Sequence, residues 1–146
     1  RPVALRDAEL VYMERLFRVF TPVGLVAKLD RAYRMPSGLL VLVEFKTRWS
    51  NQPCLSDVIQ LSAQRMAVVG QTGKSVASYG YVMVKAPTGR ALPIAHRVQL
   101  MTDEEMVALI KKREGILAGR VMARRSHSRN ACVTCVFRAQ CDDPRV

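Results

Sequence analysis

Long apolar runs are missing from this chain. The longest uninterrupted one covers about six residues, Gly38 to Val43, against the ~20 that a membrane-spanning helix requires, so a membrane protein of that kind is excluded. No charged segment followed by an apolar run opens the chain, so no secretory signal is visible. The expected location is the cytoplasm or the nucleoid. Histidine occurs only twice, and four cysteines in 146 residues are too few for a disulfide scaffold. Negative charge is scarce: 12 Asp and Glu stand against 23 Lys and Arg, a net charge of +11. Seventeen of the 23 cations are arginines, whose planar forks match phosphate oxygens, so a polyanionic partner such as nucleic acid is expected. A merely soluble basic protein is the plainer alternative. What is present in ordinary amount, 49% hydrophobic and 24% charged residues, describes one folded domain rather than a disordered or fibrous chain.

Along residues 7–20, Leu10, Met13, Leu16, Phe17 and Phe20 fall at helical spacing, and Thr21-Pro22 closes the pattern, so an amphipathic N-terminal helix is expected within residues 1–22. An α/β core is expected over residues 23–118. Val23 to Tyr33 and Leu39 to Lys46 read as strands joined by the turn Met35-Pro36-Ser37-Gly38. The second is apolar at both parities, which suits a central strand covered on both faces. Ser56 or Asp57 is positioned to cap a helix running to about Val69 and stopped by Gly70 and Gly73. Tyr79 to Lys85 and Leu92 to Leu100 read as further strands. Thr102 to Glu105 forms a capping box before a helix whose buried stripe is Met106, Leu109, Ile110, Ile116 and Leu117. Residues 119–146 form an Arg-rich, cysteine-rich tail. The fold class is α/β, a mixed central sheet flanked by helices.

Glu44 and Lys46 are two apart in the central strand and share one face about 7 Å apart, with Phe45 on the other. Asp30 lies on the preceding strand and can bring a second carboxylate beside Glu44. Two close carboxylates favour a hard divalent cation between them, Mg²⁺ or Mn²⁺. The Lys46 ammonium beside it could hold a water and offset charge developing on phosphorus. On spacing alone a solvated cross-strand salt bridge accounts for the same residues.

Three segments in order, Val26-Ala27-Lys28-Leu29-Asp30-Arg31, Leu40 to Thr47, and Asp57-Val58-Ile59-Gln60-Leu61-Ser62-Ala63-Gln64, resemble the motifs of the RecB-like branch of the PD-(D/E)XK nucleases. That branch includes the CRISPR-associated exonucleases and the AddB nuclease domain. The resemblance spans about Val23 to Cys141 and implies a restriction-endonuclease-like core. It further implies that Asp30, Glu44 and the main-chain carbonyl of Phe45 bind the metal, that Lys46 is the catalytic lysine, and that Gln60 bonds near the site. Two departures stand out. The branch usually has Tyr where this chain has Gln64, leaving Tyr79 or Tyr81 as substitutes, and its upstream metal-binding His is absent, leaving Glu9 or Glu14 on the first helix.

Cys132-x2-Cys135-x5-Cys141 offers three thiolates of a tetrahedral site. In the same branch such cysteines join an upstream one to hold a four-iron, four-sulfur cluster, for which Cys54 is the other cysteine in this chain. Zn²⁺ with His127 as fourth ligand, and thiols without metal, are the alternatives. The missing upstream ligands imply that Arg1 is not the natural beginning of the domain.

Gly70-Gln71-Thr72-Gly73-Lys74-Ser75 imitates a phosphate-binding loop, but Val68 stands where its first glycine is required, and the order of helix and strand is reversed. Arg113, Arg120, Arg124, Arg125 and Arg129 are candidate phosphate contacts, and Trp49 and Tyr33 candidate stacking residues. The expected function is Mg²⁺- or Mn²⁺-dependent hydrolysis of DNA, as an exonuclease on single strands or ends. The rival expectations are a non-cleaving DNA-binding or scaffold protein of the same fold and a zinc-binding nucleic-acid module.

Overall fold

The computed structural model describes residues 1–89, 92–124, 129–133 and 135–141. The chain divides into two compact units, Arg1–Lys111 and Lys112–Val146. Among the described residues the first unit carries a mixed five-stranded sheet in the order β1-β2-β3-β4-β5. The strands are β1 (Glu9–Val19), β2 (Leu25–Arg34), β3 (Leu40–Thr47), β4 (Val76–Lys85) and β5 (Ile94–Gln99), with helix α1 (Leu55–Thr72) between β3 and β4 and α2 (Asp103–Leu117) after β5. The pairings β1–β2, β2–β3 and β4–β5 are antiparallel, and β3–β4 is parallel, because α1 carries the chain back across the sheet. The expected α/β arrangement of a mixed sheet with flanking helices is the one observed.

The N-terminal element differs from expectation: residues 9–19 are an edge strand and not an amphipathic helix. A bulge shifts the register between Leu10 and Tyr12, and Glu14 adopts φ 50°. These irregularities break the two-residue alternation and leave apolar residues at an accidental helix-like spacing. Tyr12, Phe17 and Val19 point inward, while Met13 (59% exposed) and Phe20 (81%) do not. Glu9 and Glu14 are therefore strand residues, paired with Arg34 and Lys28.

β3 is central and covered on both faces, as its sequence requires: Leu40 and Leu42 join the core beneath Leu61, Ala67 and Val68 of α1, while Val41 and Val43 pack with Leu5, Ala8 and Tyr33 on the other. Burial takes Tyr33 out of consideration as a base-stacking residue. The β2–β3 turn closes through Gly38 N–H to Met35 O at 2.8 Å. The N-cap of α1 is Cys54 rather than Ser56 or Asp57; Asp57 stands at N3, and its carboxylate accepts from the Cys54 N–H at 2.9 Å. Gly70 does not stop α1. It lies inside the helix, where an added Cβ would meet Val19 Cγ2 at 2.6 Å, so its lack of a side chain lets α1 seat on β1. The stop is Gly73, at φ 67°, leading directly towards β4.

Thr102 and Glu105 form the expected reciprocal cap of α2, and Met106 is buried, but Leu117 is exposed and leaves the expected stripe. Met101 N–H to Ser62 Oγ at 2.9 Å and Arg65 to Asp103 at 2.9 Å tie the start of α2 to α1. In the second unit the described elements after α2 are a short helix, α3 (Arg129–Val133), and a 3-10 turn at Arg138–Gln140. No described helix is long and apolar enough to cross a membrane.

Candidate active site

The antiparallel register of β2 and β3 runs from Arg34↔Leu40 to Arg31↔Val43. One residue further on, the side chain of Asp30 replaces the backbone ladder: its Oδ2 accepts from the Phe45 N–H at 2.8 Å. The strands diverge there without leaving that donor unanswered. Among the described residues no protein hydrogen bond reaches the other oxygen of Asp30, Oδ1, and the residue is half-buried.

Glu44 is buried, at 2% exposure. Its Oε1 accepts from Lys46 Nζ at 2.8 Å and Gln60 Nε2 at 2.5 Å, and its Oε2 from Gln64 Nε2 at 2.8 Å. Lys46 Nζ also donates to Gln60 Oε1 at 2.7 Å. The two-residue strand period thus sets Glu44 and Lys46 on one face, and the helical i, i+4 spacing sets Gln60 and Gln64 on the facing side of α1. The structure brings Asp30, Glu44, Phe45, Lys46 and Gln60 together at one end of the β2–β3 pair. The donor set is two carboxylates and a main-chain carbonyl, all hard oxygens, suited to Mg²⁺ or Mn²⁺, which keep several waters of their own. No group of three or more His, Cys, Asp and Glu forms a metal site among the described residues.

Beside this cluster lies a second one that sequence reasoning missed. Arg48 donates to Asp57 through Nη1 (3.1 Å) and Nη2 (2.6 Å), to Gln52 O at 2.6 Å, to Ser50 O at 3.3 Å and to Cys54 Sγ at 3.3 Å. Burial pushes the Asp57 carboxyl up, but hydrogen bonds from Arg48 and from the Cys54 backbone and thiol, with the Arg48 charge, bring it below the usual carboxylate range. Arg48 is held above its ordinary value chiefly by the hydrogen bond to Asp57. The only available signal was an aspartate at N3 of a helix, which reads as a cap and not as the partner of an arginine in the preceding loop.

Cys54 is therefore engaged at the head of α1, in the first unit. Cys132, Cys135 and Cys141 belong to the second, where Cys132 is half-buried and the other two are exposed. Arg113, Arg120 and Arg124 are exposed in that unit. Arg125 and His127 lie outside the described residues, as does the side chain of Arg129. Trp49 is 73% exposed. Tyr79 and Tyr81 are half-buried strand residues in edge-to-face contact, with Arg97 over the Tyr79 ring.

A family model described as PD-(D/E)XK nuclease superfamily matches residues 1–142. Among solved structures, "Crystal structure of SSO0001" is similar in fold, with a TM-score of 0.59 at 17% identity. The match covers 95% of this chain and 64% of that one, so the chain spans less than two thirds of that structure's length. No curated protein matches the chain.

Proposed function

The chain belongs to the PD-(D/E)XK nuclease superfamily, and we propose that it hydrolyses DNA phosphodiester bonds with Mg²⁺ or Mn²⁺ at the Asp30–Glu44–Lys46 cluster, as an exonuclease on single strands or ends. The observation that carries this reading is the shared network of Glu44, Lys46 and Gln60 beside the Asp30–Phe45 clasp.

Asp30 and Glu44, with the carbonyl of Phe45, would hold the divalent ion. When bound, such an ion supplies Lewis-acid polarisation of a phosphate and an activated water. Lys46 has a third N–H beyond those given to Glu44 and Gln60, and that donor holds a water or phosphate oxygen and offsets negative charge in the transition state. Gln60 fixes the ammonium against Glu44. The exposed Arg113, Arg120 and Arg124 contact backbone phosphates, which gives salt-dependent binding without base choice.

Labelled single- and double-stranded DNA incubated with Mn²⁺ tests the reading. Lys46→Ala and Asp30→Ala each lower cleavage by about 10³-fold and leave DNA binding largely unchanged. Full metal-dependent cleavage by both purified variants would falsify it.

The spacing of Cys132, Cys135 and Cys141 supports a structural four-iron, four-sulfur cluster, with Zn²⁺ as the alternative. Anaerobically prepared protein with broad absorption near ~400 nm identifies the former, and colourless protein with stoichiometric zinc the latter.

A further inference from the structure

Two glutamines one turn apart on α1 hold the same carboxylate from opposite oxygens, Gln60 on Oε1 and Gln64 on Oε2. Gln60 also engages Lys46, whereas Gln64 reaches in another direction: its Nε2 donates to the main-chain carbonyl of Lys28 at 2.9 Å. Both neighbours of that nitrogen are acceptors, so the amide cannot be turned over without setting oxygen against oxygen. The orientation leaves Gln64 Oε1 buried with no partner, on a residue only 1% exposed. A buried unanswered acceptor carries a cost that an apolar side chain of the same size avoids. The amide is therefore explained by what its nitrogen does.

That nitrogen bridges two strands at the point where their ladder has ended. Lys28 lies on β2, two residues before Asp30, and Glu44 lies on β3. The backbone register between these strands stops at Arg31↔Val43. Beyond that pair, among the described residues, the hydrogen bond from the Phe45 N–H to Asp30 and the two hydrogen bonds from Gln64 Nε2 join β2 and β3 through side chains, with the Arg31 guanidinium stacked over the Phe45 ring at 4.7 Å beside them. We propose that Gln64 is a positioning residue, a strap across the diverging strands that fixes the gap between Asp30 and Glu44 and so sets their affinity for a divalent cation. This rests on the metal-dependent nuclease reading above.

The test is Mn²⁺ binding to the whole chain without DNA, by calorimetric titration, for the wild type, Gln64→Met and Gln64→Asn, alongside kcat, KM and thermal melting. Met keeps the volume and loses both donations; Asn keeps the amide and is one methylene too short to span. Each variant is expected to bind Mn²⁺ about tenfold more weakly. The kcat at limiting Mn²⁺ falls in step and recovers as Mn²⁺ is raised, while KM for DNA stays constant. A merely structural residue lowers the melting temperature and leaves the Mn²⁺ affinity of the folded protein at the wild-type value, and that result in either folded variant overturns the proposal. Wild-type protein that binds Mn²⁺ but cuts no DNA defeats the nuclease reading while the strap still stands on the binding difference. Wild-type protein that binds no Mn²⁺ defeats both.

Discussion

Glu44 and Asp57 bracket the loop that leaves β3 and enters α1, and up to a point they are built alike. Each carboxylate is nearly inaccessible, and each is paired with a cation whose side chain is about one quarter exposed, Lys46 for Glu44 and Arg48 for Asp57. The partners separate them. Arg48 gives Asp57 a two-pronged fork and ties Gln52 and Ser50 to the same guanidinium, while the Cys54 N–H takes a further place on Oδ2. This is a closed joint, and its charge cannot be removed by deprotonation. Glu44 is served by one ammonium and two neutral amides, with the half-buried Asp30 on the neighbouring strand. The two amides are held in place, but the ammonium keeps one N–H beyond those given to Glu44 and Gln60, and that donor can turn towards a water or a phosphate. A buried carboxylate in an ion pair therefore says little about function until its donors are named.

The comparison breaks or holds on one pair of isosteric changes. Glu44→Gln is expected to lower cleavage by about 10³-fold. Asp57→Asn is expected to cost about 3 kcal/mol of stability, because it leaves the Arg48 charge without its counter-ion, and to leave kcat of the folded protein within a few-fold of wild type. Equal loss of cleavage in both folded variants would dissolve the distinction. Unfolding in urea supplies the stability and DNA cleavage the activity.

Acid provides a smaller effect on the same joint. A carboxyl whose folded value is depressed contributes stability that is fully present above its unfolded value and is lost as pH falls through the folded one. For Asp57, whose net shift is downward, that loss starts at about pH 4, the ordinary aspartate value, and grows at lower pH. The urea midpoint of the wild type should drop across this window by more than that of Asp57→Asn. Parallel curves would mean that the Arg48 pairing does not distinguish the folded from the unfolded carboxyl.

What the sequence revealed follows the same division. Asp30, Glu44, Lys46 and Gln60 were legible because each stands on a regular element, where a two-residue or one-turn spacing fixes the face. β1 was not, since a bulge and the positive φ of Glu14 replaced its alternation with a helix-like pattern. Gln64 read as the loss of an aromatic residue; its work is visible only once the β2–β3 ladder is seen to stop at Arg31↔Val43. Arg48 and Asp57 were hidden because a loop has no period, and a guanidinium that gathers carbonyls from Ser50 and Gln52 leaves no spacing rule to find. The cysteine spacing was plain, but spacing alone does not say whether a metal is held there.

The smallest predicted effect concerns the fork itself. Arg48→Lys keeps the positive charge beside Asp57 and removes the geometry: a single ammonium cannot hold Oδ1, Oδ2 and the Gln52 carbonyl in the arrangement that the guanidinium gives them. The charge interaction largely survives while about one net hydrogen bond is lost, so the expected cost is about 1 kcal/mol, roughly a third of that of Asp57→Asn. Cleavage should be untouched, because the start of α1 is still held and Gln60 still faces Lys46. If urea unfolding of Arg48→Lys matches the wild type, charge alone closes the joint, and the contrast between fork and ammonium no longer explains why two such similar carboxylates differ.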